Sequence, residues 1–196
     1  MICETLIANG IELNCGVISR GFEADGVIIN RADIDFGASV TTGNTTTVVL
    51  KSGKTGYKVK QFGNAPFEGS EISLNVGTYV NTWTKNIKVL FPSIGENTSD
   101  LIDNLVSGDV VLILRNKQKA DLLKVSSQTA VACEYEIFGW EQGMKVSAGT
   151  RTPNDEDTLG GTLLTLTEAG AANHAIYLWA STAEATKTAY ESLVTA

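Results

Sequence analysis

The sequence predicts a mainly β (α+β) fold, an antiparallel sandwich or barrel with a short central helix and a C-terminal helix. Three observations predict it. Nineteen glycines against 3 prolines suggest many tight turns between short strands. Residues 83–91 alternate apolar and polar side chains with a period of two. No strand–helix–strand alternation points to a doubly wound parallel sheet. A chain of 196 residues fits one domain, 1–196, and can bury roughly 70% of its unfolded surface without disulfides or metals.

In chain order, Val27-Ile28-Ile29 is a β-branched run ending in the turn Asn30-Arg31-Ala32-Asp33. Residues 37–44 are small and polar and predict an extended loop. Thr45 to Lys51, then Ser52-Gly53-Lys54, then Tyr57 to Phe62 predict a hairpin with Tyr57, Val59 and Gln61 on one face. The turn formers of 63–69 break the sheet, and Ile72 to Val76 give another strand.

Trp83, Lys85, Ile87, Val89 and Phe91 form the inward row of a strand whose other face is largely polar. Thr98 or Ser99 is placed to cap a helix of about two turns, with Asp100 in its first turn. Leu101, Ile102, Leu105 and Val106 form its apolar side and Gly108 its stop. A helix that short needs a sheet to lie on.

Val110-Val111-Leu112-Ile113-Leu114 is apolar throughout, as expected of a central strand covered on both faces. Val131, Cys133, Tyr135 and Ile137 alternate with Glu134 and Glu136, and 139–143 bend the chain. Residues 144–148 resume an extended pattern, and 150–161 predict a polar, acidic loop. Leu163 to Leu166 and Ala175 to Trp179 predict the last strands, joined by a turn at 169–173. Residues 182–196 form an amphipathic helix with Thr186, Tyr190, Leu193 and Val194 inward and the Lys187–Glu191 pair outward.

No catalytic, cofactor-binding or metal site is expected. His174 is the only histidine and sits in a turn, and no nucleophile elbow accompanies it. Asp155, Asp157 and Gly160 imitate the start of a calcium loop, but Leu159 and Leu166 occupy positions that need oxygen ligands. No phosphate-cradling glycine motif opens a helix. Cys3, Cys15 and Cys133 lack C-x-x-C spacing and read as buried thiols, with a Cys3–Cys15 bridge as the alternative. The pairs Asp33/Asp35 and Glu134/Glu136 read as the outward faces of strands. The basic cluster Arg115, Lys117, Lys119 and Lys124 lacks interleaved aromatics and reads as a solvated loop or a salt bridge to an acidic neighbour.

The formal net charge of −7 argues against a surface that grips nucleic acid, although it suits a wall that DNA slides past. The first eight residues carry no signal-peptide pattern and no stretch is long enough for a membrane span, so synthesis in a reducing cytosol is expected.

Several segments resemble virion structural proteins of tailed phages: Gly10-Ile11-Glu12-Leu13-Asn14-Cys15, the run from Gly77 to Asn86, Asn104-Leu105-Val106-Ser107-Gly108, the run from Tyr135 to Lys145, and the run from Gly160 to Glu168. Taken together they are similar to tail or ring (tail-tube-like) components of phages that infect gut Bacteroidetes, including the crAss-like group. The resemblance implies a tail-tube-like sandwich that self-associates into a sixfold or twelvefold ring. It also implies contacts with neighbouring tail or neck proteins, DNA only as passing cargo, no membrane partner, and residence in the virion after synthesis in the host cytoplasm. The other reading weighed is a carbohydrate- or receptor-binding β module of a fibre or capsid decoration. That reading needs exposed aromatics, whereas Trp83 and Trp179 lie in apolar strand patterns that predict core packing.

Overall fold

The strand that is apolar at every position organises the molecule. In the computed structural model, which describes residues 19–63, 65–118 and 133–194, Val111 and Ile113 enter one core while Val110, Leu112 and Leu114 enter another. Alternate side chains of a strand point to opposite faces, so an unbroken apolar run belongs where both faces are covered.

The elements in order are β1 (Phe22–Asn30), β2 (Thr41–Thr42), β3 (Thr45–Thr46), β4 (Tyr57–Lys60), β5 (Glu71–Asn75), β6 (Thr82–Phe91), α1 (Glu96–Ser107), β7 (Val110–Asn116), β8 (Tyr135–Phe138), β9 (Lys145–Arg151), β10 (Thr162–Ala171), β11 (Ile176–Leu178) and α2 (Ala183–Ser192). A seven-stranded sheet runs β2-β3-β11-β8-β7-β1-β4, and a four-stranded sheet runs β5-β6-β10-β9. Every pairing is antiparallel except β11 with β3. The chain is mainly β and sandwich-like, as the sequence predicts.

The core between the sheets draws Ile87, Val89, Leu164 and Leu166 from the smaller sheet and Leu112, Leu114 and Phe138 from the larger, with Leu105 and Ile102 of α1 packed at its edge. The outer face of the larger sheet carries Val27, Ile29, Val111, Ile113, Tyr135, Ile137 and Ile176, covered by Tyr190, Leu193 and Val194 at the C-terminal helix. That helix follows its expected pattern: Thr182 caps it by accepting the Ala185 N–H at 3.1 Å, and Lys187 meets Glu191 at 3.8 Å in solvent.

Several expectations are corrected. Residues 45–51 do not pair with β4. They fold back on the chain just before them, with Asp35 N–H donating to Val49 O at 2.9 Å and Thr47 N–H to Val40 O at 2.9 Å. The reason is local: Asp35 Oδ1 accepts from the Gly37 and Ala38 N–H groups at 3.0 Å each and closes a side-chain-directed turn. β4 instead pairs with β1, Val59 opposite Gly26, with Val59 covering the inter-sheet core.

The central helix starts earlier than expected, after Gly95, with Glu96 in its first turn and Ser99 donating to Gly95 O at 3.1 Å. It is 12 residues long; Leu105 is buried, whereas Leu101 and Val106 are exposed. Thr150 and Arg151 belong to β9 and 169–171 to β10, so both connections are shorter than the sequence suggests. Lys119, Lys124, Val131, Cys3, Cys15 and the 10–15 segment lie outside the described residues.

Candidate assembly surface

Side chains with chemistry in them go mainly into holding the sandwich together. Lys85 on β6 faces Glu168 on β10 in register, with Nζ 3.2 Å from Oε2 and side-chain exposures of 1% and 0%. Glu168 also accepts three backbone N–H groups: Gly139 at 2.9 Å on Oε2, and Glu141 and Gln142 at 3.1 Å each on Oε1. One carboxylate therefore ties the smaller sheet to the turn that ends β8 in the larger. Among the described residues Lys85 Nζ has no aligned hydrogen-bond acceptor, so its charge is balanced by proximity, chiefly to Glu168.

Glu136 belongs to the same interior. It is buried, not on an outward face as its spacing from Glu134 suggests. The cause is that β8 is covered on both faces. Burial raises its carboxyl above the ordinary range, opposed by the Asn116 amide, which donates to Oε2 at 3.2 Å, and by the Lys85 charge. Glu134 pairs with Arg115 at 2.7 Å, half-buried, so for Arg115 the salt bridge, one of the two readings of the basic cluster, is the one seen.

Asp33 and Asp35 do not share a strand face either. Asp33 ends a 3-10 turn, Arg31–Asp33, and is held by the Asn30 amide and Lys54, each at 3.1 Å, which lower its pKa. Asp155 accepts from the Thr158 hydroxyl at 2.8 Å inside its own loop. His174 is exposed, its ring edge-on to Trp83 with centroids 4.7 Å apart. Trp83 and Trp179, expected in the core, are half-buried near strand ends, and Trp140 at the bend is buried.

The surface holds the larger surprise. The end of β5 and its connection to β6 are exposed at every residue from 74 to 81, with Tyr79 at 97%, Val76 at 80% and Val80 at 70%. No residue in that stretch is charged. The loop is nevertheless organised: Gly77 N–H donates to Asn81 Oδ1 at 3.3 Å, and the Asn75 amide to the Thr84 hydroxyl at 2.6 Å.

At the far end of β6 lies an open cleft of about 480 Å³ between α1 and β4, whose walls include Tyr57, Val59, Phe91, Pro92, Leu101 and Leu105. Tyr57 and Leu101 are exposed there, and so are Phe62 and Ile94, each next to a lining residue. A second groove of about 570 Å³ runs over the other face of β4 toward α2, with Lys58, Lys60, Arg115 and Lys187 along it. Edge strands β4 and β9 carry Lys58, Lys60, Lys145 and Arg151, charges that discourage strand-to-strand addition.

Sequence reasoning missed the interior network and this loop. Lys85 in an otherwise apolar inward row, and Glu168 two and four residues after Leu166 and Leu164, were the signals for the first. For the second, the signal was Val76, Tyr79 and Val80 sharing a turn with Gly77. No family model, curated protein or solved structure matches the chain. No helix among the described residues is long and apolar enough to cross a membrane.

Proposed function

We propose that this chain is a structural subunit that works by self-assembly, and specifically a ring-forming component of a phage tail tube or neck that surrounds the DNA channel. The observation that carries the reading is the clustering of exposed apolar side chains at the two ends of β6, since scattered apolar residues are ordinary but contiguous ones mark contact surfaces. Segments resembling tail and ring proteins run in order along the chain, and the −7 charge suits a wall past which DNA moves without adhering.

Negative-stain electron microscopy of the purified protein at rising concentration tests this. Closed rings with a central opening support it. A field of monomers at every concentration counts against self-driven assembly and favours a receptor- or glycan-binding module, to be followed with a glycan screen.

A further inference from the structure

The exposed loop and the apolar cleft sit at opposite ends of the same strand. Residues 76–81 lead into Thr82, the first residue of β6, while Phe91, its last, lines the cleft. Ten residues of strand separate them by about 30 Å, so a molecule cannot fill its own cleft with its own loop.

We infer that the 76–81 loop of one copy seats Val76, Tyr79 and Val80 in the α1–β4 cleft of a second copy, a head-to-tail contact directed along β6. The inference deepens the assembly reading and rests on it. The loop has no charge, and the cleft is mainly apolar: Tyr57, Phe91, Pro92 and Leu101 are among its walls, with Lys58 and Lys60 on its β4 side. Within the loop the Gly77 N–H donates to Asn81 Oδ1 at 3.3 Å, which lowers the ordering cost that falls on the contact. A cleft of about 480 Å³ is in the range that accepts a few bulky side chains.

A knob and a socket on different parts of one surface make a heterologous interface, which propagates into a ring or a stack rather than ending at a dimer. Three seated side chains cover roughly a few hundred Å² per copy, less than the ~800 Å² per partner of a stable isolated pair. The contact is therefore weak singly and effective only when many copies repeat it.

The test is sedimentation velocity from micromolar to millimolar protein on the wild type, a loop variant (Tyr79→Ser with Val80→Ser), a cleft variant (Leu101→Asp), and an equal mixture of the two variants. All altered side chains are exposed, and unchanged circular dichroism and melting confirm that each variant folds. The expected result is oligomers beyond dimer for wild type, association weakened by at least about tenfold for each variant alone, and dimers only in the mixture, where one intact loop meets one intact cleft. Three results overturn it. Variants that associate like wild type remove the loop and cleft from the contact while leaving assembly standing. A wild-type dimer abolished by the loop variant but spared by the cleft variant places loop on loop. Wild type that stays monomeric leaves the cleft to a different protein and takes self-assembly down with it.

Discussion

Lys85 and Glu168 meet across β6 and β10 with Nζ 3.2 Å from Oε2, and neither side chain reaches solvent. The pair is unequal: Glu168 has three backbone N–H donors besides the lysine, whereas Lys85 Nζ makes no aligned hydrogen bond among the described residues. Breaking a buried pair by removing one partner typically costs about 3–5 kcal/mol because it strands the other charge. Glu168→Ala is therefore expected to lose about that much and to leave three donors unpaired, whereas Lys85→Met leaves a carboxylate still held by three backbone N–H groups and loses less. Denaturant unfolding of both variants checks the order, and equal losses would remove Glu168 from its role as the tie between the sheets.

Glu136 sets a pH dependence of definite sign. Its carboxyl is raised in the folded protein, so the protonated side chain is the one the fold prefers. That contribution is fully present below the unfolded carboxylate value and is lost as pH rises through the raised folded value. Glu136→Gln, which stays neutral, should gain stability relative to wild type as pH climbs from acid to neutral, with the gap closing below about pH 4. Melting curves at stepped pH measure it, and a gap independent of pH would mean that the Glu136 carboxyl titrates alike in the folded and unfolded chain, so that burial does not raise it.

Two glycines with the same positive φ should respond very differently to alanine. Gly143 and Gly170 both have φ of +80°, so each variant carries the left-handed cost of roughly 1–2 kcal/mol. A Cβ at Gly170 meets nothing within 4 Å, while at Gly143 it collides with the Asp109 carboxylate. Gly143→Ala is expected to be the more damaging by a clear margin in thermal melting, and matching losses would contradict the tight 139–143 turn.

The C-terminal helix offers a smaller check. Thr182 accepts the Ala185 N–H at 3.1 Å, and Thr182→Ala should cost about 1 kcal/mol, readable as increased amide exchange over 183–186 before any global change. No change in exchange there would mean that packing of Tyr190 and Leu193 alone holds the helix.

Much of this fold could be read directly from residue patterns, and the reasons differ by element. β6 announces itself because one face is core and the other is not, and β7 because both faces are core. The 45–51 segment misleads because strand propensity says nothing about partner, and the turn organised by Asp35 gives it a nearer one. Glu136 misleads because its alternation with Tyr135 and Ile137 is that of a half-exposed strand, although the second sheet covers its face. The loop at 76–81 was legible only as a strand end, since Val76 has the same identity whether it points into a core or into water.

The central claim is that this sandwich acts by binding copies of itself, and light scattering of the purified protein across concentration tests it most directly. The account predicts a molar mass that rises with concentration toward a fixed multiple of the 20.8 kDa chain. A mass that stays at one chain at the highest attainable concentration would contradict it.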